Sequence, residues 1–328
     1  MVDRQTVGQV VLANPLALAS FQTDLFTQSN GVVDILWVID ASGSMADERT
    51  TLGGDFQGFL DELFAIQSDY QIGVTMLQDP NPLLGNVPGQ MFAGQLRQST
   101  NVAPGTTIIT NATANGAAIF QDLANFPATL LHWDQGLRMG ELALTAPNAA
   151  PGGSNVGFVR PNAALAVIVV TNGEDASYGD PDYYTRFYQG AKGPGNARLV
   201  TFSTLGGDLP NGCTPTIDVG KLGGAAPPAA RYAAVSFGTG GVVGSICDAD
   251  FAGTLLRIVQ ALNTLRQVFQ LTLTPATGTL SVIVNGATIP QSVVNGWQYQ
   301  PSTNSIVFQG AYTPPPGAQI QILYAISN

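Results

Sequence analysis

The chain of 328 residues is long enough for one large domain, or for a large and a small one, and its 45% hydrophobic residues support a sizeable core. Asp and Glu (22) outnumber Lys and Arg (12), and the net charge of −10, without any basic cluster, argues against a nucleic-acid partner. Only 10% of the residues are charged, and no apolar run approaches the roughly 20 residues of a membrane helix. Such a charge-poor surface fits a protein that is buried in an assembly or lives outside the cytoplasm.

The first clear element is an apolar strand, predicted over 33–40, which ends at Asp40 and is followed by Ser42 and Ser44. Apolar residues then recur at helical spacing over 49–67, so a loop with three hard oxygen ligands connects a strand to an amphipathic helix. Ligands of this kind suit Mg²⁺, Mn²⁺ or Ca²⁺. The alternative is a plain turn in which Asp40 and Ser42 only cap the helix.

Strand and helix patterns alternate along the next two hundred residues. They predict an α/β domain over 30–268, with a doubly wound, mostly parallel sheet covered by helices on both faces. The predicted strands are 33–40, 71–77, 164–171, 198–204 and 231–237. The predicted helices are 49–67, 115–125, 133–145, 181–191 and 249–268. The spans 79–112 and 206–230 lack either pattern, which is typical of functional loops or assembly contacts.

After the last helix the hydrophobic period changes to two. Short alternating runs separated by Asn-Gly or Pro-Gly predict a small antiparallel β-domain over 269–328, with a β-sandwich-like character. Asn285-Gly286 predicts a tight hairpin turn. Residues 1–29 form an N-terminal segment that could add a strand to this domain.

The chain has two cysteines, Cys213 and Cys247, in one Gly- and Pro-rich region. They could form one bridge in an oxidising compartment, and two separate reduced thiols are the alternative. A zinc site is not expected, because no Cys-x-x-Cys is present and the single histidine, His132, is far away in sequence.

Asp40-x-Ser42-x-Ser44 after an apolar strand resembles the metal-ion-dependent adhesion site (MIDAS) of the von Willebrand factor A (VWA) family. The resemblance covers about residues 30–268. It is closest to bacterial members that carry a similar Cys pair, a Gly-Gly turn such as Gly240-Gly241, and an appended β-domain. The fold that this family implies is the same doubly wound α/β sheet.

The resemblance also implies ligands from two further loops. The family site adds a threonine, for which Thr129 is the best candidate and Thr106 and Thr107 are alternatives. It also adds an aspartate from a later strand, in a Thr-Asp-Gly setting. Here that segment is Thr171-Asn172-Gly173, so Asn172 replaces a carboxylate with an amide. The predicted metal set is therefore Asp40, Ser42, Ser44, Thr129 and Asn172, with weaker affinity unless Glu174, Asp175 or Asp134 supplies the charge.

In this family the ion keeps an open position that a carboxylate of another protein fills. The resemblance therefore implies a non-enzymatic adhesion or assembly module that holds Mg²⁺, or else Ca²⁺ or Mn²⁺, and binds an acidic protein partner. The composition adds the expectation of a subunit of a phage tail, virion or injection-type particle, among neighbouring subunits. A bacterial cell-surface adhesin is one alternative, and a metal-assisted enzyme or chelatase-like subunit is another. A serine hydrolase is disfavoured, since the site lacks the Gly-x-Ser-x-Gly pattern.

Overall fold

The structure is a computed structural model that describes residues 20–28, 31–78, 93–125, 134–161, 163–193, 196–214, 225–265, 268–310, 312–315 and 317–327. Two compact units divide the chain. One is Ser29–Arg266, called here the α/β unit, and the other combines Met1–Gln28 with Gln267–Asn328 and is called the β unit.

The described strands and helices are numbered in chain order. The strands are β1 (Phe21–Thr27), β2 (Val32–Ile39), β3 (Asp69–Met76), β4 (Ile108–Thr110), β5 (Ala164–Val170), β6 (Val200–Gly206), β7 (Val243–Ser245), β8 (Val268–Gln270), β9 (Ser281–Val284), β10 (Ala287–Ile289), β11 (Asn295–Gln300), β12 (Ser305–Gly310) and β13 (Gln319–Ala325). The α-helices are α1 (Ala46–Ala65), α2 (Gly116–Ala124), α3 (Gly136–Leu144), α4 (Pro181–Gly190), α5 (Ala230–Thr239) and α6 (Ala252–Leu265).

The sheet of the α/β unit has the strand order β4-β3-β2-β5-β6-β7. All neighbours are parallel except β4, which runs antiparallel to β3. From β2 the chain proceeds outward through β3 to β4, and it then returns to β5 on the other side of β2. The boundary between β2 and β5 is therefore the topological switch point, where open α/β sheets bind their ligands.

Side chains of β2 alternate between two apolar cores. Ile35, Trp37 and Ile39 face the core formed with α1, α2 and α6, whereas Leu36 and Val38 face the core formed with α3, α4 and α5. Burial on both faces explains why the strand is apolar throughout. The predicted fold class, a doubly wound α/β sheet with an additional antiparallel β region, is confirmed.

One predicted strand is wrong. Residues 231–237 belong to helix α5, and the strand that completes this part of the sheet is β7, a few residues later. Tyr232, Ala233, Val235 and Ser236 are buried, at the i, i+1, i+3, i+4 spacing of a helix face. Gly240 ends the helix in the left-handed conformation. The span 79–112 also contains a short strand, β4, that was not predicted.

The β unit contains two antiparallel sheets, with the orders β1-β13-β9-β10 and β11-β12-β8. The predicted hairpin is present: Val284 pairs with Ala287, and both Asn285 and Gly286 have positive φ angles, as the tight turn between β9 and β10 requires. β1 pairs along its length with β13. The unit has its own apolar core, in which Trp297, Phe308 and Ile322 are buried.

Cys213 and Cys247 form a disulfide, so the bridged alternative is the one that the structure contains. Among the described residues, no helix combines the length and apolar character that crossing a bilayer requires.

The loop before β4 is fastened to α2 by the carboxylate of Asp122. Its Oδ2 accepts hydrogen bonds from Ser99 Oγ and from the backbone N–H groups of Thr100 and Asn101, at 2.6–2.9 Å. Its Oδ1 accepts a fourth, from Asn101 Nδ2. Burial by itself raises the pKa of Asp122, but these hydrogen bonds outweigh it and hold the pKa well below its usual range.

This arrangement predicts a pH-dependent effect of Asp122→Asn. A carboxyl group whose pKa is lower in the folded than in the unfolded state stabilises the protein at pH values above the group's unfolded pKa. This stabilisation is lost as the pH falls towards the folded-state pKa. Asp122→Asn should therefore destabilise the protein at neutral pH, and its difference from the wild type should shrink below about pH 4. Urea unfolding at a series of pH values measures this, and a difference that does not change with pH would contradict it.

Candidate functional site

The candidate site lies at the carboxyl ends of β2 and β5, on both sides of the switch point. Asp40 directly follows β2, and Thr171 and Asn172 directly follow β5. The backbone continues the pairing of the two strands, because the N–H of Asp40 donates to the carbonyl of Val170 at 3.0 Å. The fold thus brings together segments that are far apart in sequence.

The carboxylate of Asp40 is fully buried and ties three segments together. Oδ1 accepts hydrogen bonds from the Ser42 N–H at 2.7 Å and from Gln78 Nε2 at 2.6 Å. Oδ2 accepts one from Thr171 Oγ1 at 2.9 Å. A carboxylate offers about four lone-pair positions, so Oδ2 keeps capacity for one further contact.

Three uncharged oxygens lie beside this carboxylate and are called here the oxygen face: Ser42 Oγ, Ser44 Oγ and Asn172 Oδ1. The two serine oxygens are 3.0 Å apart, and Ser44 Oγ donates to Asn172 Oδ1 at 3.4 Å. Ser42 and Ser44 are close because Gly43–Met45 forms one turn of 3₁₀ helix before α1. The structure therefore brings four of the five predicted ligands, Asp40, Ser42, Ser44 and Asn172, to one place.

Arg49 stabilises the backbone of the loop that follows β2. Its side chain is buried, and Nη1 donates to the carbonyls of Asp40 at 2.9 Å and Ser42 at 2.8 Å. Burial lowers the pKa of the Arg49 guanidinium, while the neighbouring carboxylates of Asp40 and Glu48 act in the opposite direction. The guanidinium therefore stabilises the backbone of the loop and also provides a positive charge that offsets the negative charge of Asp40.

Gln78 connects the site to a second carboxylate. Its Nε2 donates to Asp40 Oδ1 and also to Asp134 Oδ1 at 2.9 Å, and its Oε1 accepts from the N–H of Ala41 at 2.9 Å. The Asp134 carboxylate lies so close to Gly173 that a Cβ atom at residue 173 would collide with it. Asp134 thus places a negative charge beside Gly173, the residue that follows Asn172.

Glu174 and Asp175, the other two candidates for supplying the missing negative charge, form hydrogen bonds at helix N-termini. The carboxylate of Glu174 accepts from the backbone N–H groups of Ala230 and Arg231, at the N-terminus of α5. Asp175 accepts from the N–H of Leu137 in α3 and forms an ion pair with Arg231 at 3.1 Å. Both carboxylates therefore stabilise helix N-termini.

The distances within the oxygen face fit a hard divalent cation. Adjacent ligands of an octahedral Mg²⁺ with bond lengths of about 2.0–2.1 Å lie about 2.8–3.0 Å apart, and those of Ca²⁺ about 3.3–3.7 Å. Of the two separations in the oxygen face, 3.0 Å corresponds to Mg²⁺ and 3.4 Å to Ca²⁺, and both are also hydrogen-bond distances in this structure. The face is made of hydroxyl and amide oxygens: the described residues contain no group of three or more His, Cys, Asp or Glu side chains that could hold a metal.

The fifth predicted ligand, Thr129, and the single histidine, His132, lie outside the described residues. Of the alternatives to Thr129, Thr106 lies in the loop before β4, where its carbonyl accepts a hydrogen bond from the N–H of Ser99. Sequence reasoning missed Gln78, Thr171 and Arg49 as parts of the site. The signal for the first two was their place, since Gln78 is the second residue after β3 and Thr171 the first after β5.

No protein-family model matches the chain, and neither does any of the curated proteins. Solved structures to which the chain is similar include proximal thread matrix protein 1 from the mussel byssus, described with a zinc-occupied MIDAS motif (12% identity, 74% of this chain and 48% of that chain, TM-score 0.41). Another is the pilus adhesin SpaC from Lactobacillus rhamnosus GG in its open conformation (15% identity, 94% and 43%, TM-score 0.40). A third is the conserved hypothetical protein BatB from Bacteroides thetaiotaomicron (13% identity, 71% and 98%, TM-score 0.38). The chain spans less than half the length of the mussel protein and of the pilus adhesin.

Proposed function

We propose that the α/β unit is a divalent-cation-dependent binding module with an adhesion or assembly role. The observation that carries the proposal is the oxygen face, in which three hard oxygens from two loops lie within 3.0–3.4 Å of a neighbour, next to the buried Asp40. Ser42, Ser44 and Asn172 would hold the ion together with Asp40, and the hydroxyl of Thr129 would be a fifth ligand. The ion when bound supplies a Lewis-acidic centre that attracts anionic oxygens.

The ligand expected at such a centre is a carboxylate of a protein partner. Hydroxyl and amide oxygens neutralise little of the charge of a divalent cation, so an acidic side chain from outside is favoured as a further ligand. Binding, not turnover, is also supported by the surrounding carboxylates. Within the described chain, those of Glu174, Asp175 and Asp134 are engaged in hydrogen bonds of the fold, which leaves them poorly placed to act as a general base.

The wider setting that we propose is extracellular or on a surface, as the disulfide and the low content of charged residues suggest. Within it, a subunit of a phage tail, virion or injection-type particle is the first proposal and a bacterial surface adhesin is the second. Immunogold labelling of purified particles and of the cell envelope separates the two.

The ion site is tested by titrating the protein with Mg²⁺, Mn²⁺ and Ca²⁺ in a calorimeter. We expect a dissociation constant of about 10⁻⁴–10⁻³ M for at least one of the ions, because the site has few anionic ligands. The double variant Ser42→Ala/Ser44→Ala should weaken binding at least about tenfold. Thr50→Ala, which removes an exposed hydroxyl a few residues away on α1, is the control and should bind as the wild type does.

The open position is tested with acetate as the simplest carboxylate. With Mn²⁺ bound, the relaxation of the acetate protons should be enhanced by the protein, and the serine double variant should abolish that enhancement. Ethanol, which has no carboxylate, is the control probe. A protein that binds none of the three ions, or that binds Mn²⁺ without any effect on acetate, would overturn the proposed function.

A further inference from the structure

Asn172 is followed by Gly173, which packs closely against the carboxylate of Asp134. A Cβ atom at residue 173 would collide with the carboxylate of Asp134 unless that side chain moved. An asparagine that precedes glycine is chemically labile. Because glycine has no side chain, the backbone nitrogen of the glycine can approach the side-chain carbonyl carbon of the asparagine and displace the amide nitrogen.

The hydrogen bonds around this dipeptide favour such a reaction. The N–H of Gly173 donates to Thr171 Oγ1 at 2.9 Å, and the Thr171 hydroxyl itself donates to Asp40 Oδ2 at 2.9 Å. The nitrogen that would attack therefore has an acceptor for its proton, linked to a carboxylate. The carbonyl that would be attacked also has a hydroxyl near it, because Ser44 Oγ lies 3.4 Å from Asn172 Oδ1 and can donate to it.

We propose that Asn172 is a modification site, at which the chain deamidates itself. The Gly173 nitrogen forms a bond to Asn172 Cγ, the bond from Cγ to the amide nitrogen breaks, and ammonia leaves with the proton taken from Gly173. The product is a five-membered succinimide. Water then opens the ring and leaves a carboxylate, either in a normal aspartate or in an isoaspartate. No oxidant or further reactant besides water is needed.

The consequence is an additional negative charge at the oxygen face. Asn172 Oδ1 is one of its three oxygens, so in the aspartate product a neutral ligand is replaced with an anionic one. Affinity for hard divalent cations increases with the number of charged ligands, so the modified protein should bind such an ion more tightly. This part of the inference rests on the proposed function, whereas the covalent reaction does not.

The reaction is tested by mass spectrometry on peptides from protein that has been kept for days at a warm temperature below its unfolding transition. Conversion of Asn172 from amide to carboxylate is the expected result. Asn285-Gly286, in the exposed turn between β9 and β10, provides an internal control for the intrinsic lability of the dipeptide. Thr171→Val should slow conversion at Asn172 several-fold and leave Asn285 unaffected. An Asn172 that stays an amide while Asn285 converts would overturn the proposal.

The effect on ion binding is tested separately with Asn172→Asp, and Asn285→Asp serves as the charge-matched control. Asn172→Asp should bind Mg²⁺, Mn²⁺ or Ca²⁺ on the order of tenfold more tightly than the wild type, and Asn285→Asp should not. If Asn172 converts but neither the wild type nor Asn172→Asp binds any of these ions, the proposed function fails and only the modification stands. If the wild type binds an ion and Asn172→Asp binds it no more tightly, the inferred effect of the modification is refuted.

Discussion

Replacing Asp40 by alanine should lower the free energy of unfolding by about 3–5 kcal/mol, even when a chelator removes all metal. The carboxylate is completely buried and accepts hydrogen bonds from Ser42, Gln78 and Thr171. After its removal the Ser42 N–H and the Thr171 hydroxyl lose this acceptor, and Gln78 keeps only its hydrogen bond to Asp134. Each unsatisfied buried group costs about 1–3 kcal/mol. The buried guanidinium of Arg49 also loses one of its two counter-charges, since Asp40 and Glu48 both act on it.

Urea unfolding in the presence of a chelator measures this loss, and Asp61→Ala is a suitable control. Asp61 is an exposed residue of α1 whose carboxylate accepts one hydrogen bond, from Gln57 in the same helix. Its replacement should change stability by less than about 0.5 kcal/mol. A similarly small effect of Asp40→Ala would mean that the loop does not depend on this carboxylate. Asp40 would then have no structural role in positioning the oxygen face.

The two mutations at the site separate folding from ion binding. Removal of Asp40 acts on both, because the carboxylate organises the loop and also borders the oxygen face. Removal of the Ser42 and Ser44 hydroxyls acts mainly on the ion, since their hydrogen bonds in the structure are with each other and with Asn172. A metal-binding defect in the serine variant, at nearly unchanged stability, is therefore the more direct evidence for an ion site.

The parts of the site that could be predicted from sequence are contiguous. Asp40, Ser42 and Ser44 lie within five residues, directly after an apolar strand, and the local pattern alone predicts that they share one loop. The partners that fix their geometry are distant: Gln78 is 38 residues away from Asp40, and Thr171 is 131 residues away. Their role depends on which strands become neighbours, and hydrophobic periodicity does not carry that information.

The errors in the fold have a similar origin. The segment 231–237 contains apolar residues at both strand and helix spacings, and only its packing against β6 and α4 decides for the helix. Strand β4 has three residues, too few for a periodic pattern, and its register is set by pairing with β3. The longer strands β2 and β5 were predicted correctly because burial on both faces makes them apolar throughout.

Replacing Phe56 by alanine should be as damaging to stability as the loss of Asp40, at a place remote from any ligand chemistry. Phe56 is fully buried between α1, α2 and β2. Its ring stacks on that of Phe120 at a centroid distance of 3.5 Å and meets the edge of Trp37 at 5.9 Å. Truncation of a large buried aromatic side chain leaves a cavity that rigid neighbours cannot fill, and it costs about 3–5 kcal/mol.

The same helix supplies a matched control. Phe64 lies two turns further along α1 and is 77% exposed, whereas Phe56 is 0% exposed. Phe64→Ala should change the free energy of unfolding by less than about 0.5 kcal/mol, because little apolar contact is lost and alanine is the better helix former. Urea unfolding of both variants measures the contrast. Phe56, Phe120 and Trp37 pack α1 and α2 against β2, the strand that ends directly before Asp40. Equal effects of the two substitutions would contradict this packing, on which the position of the site depends.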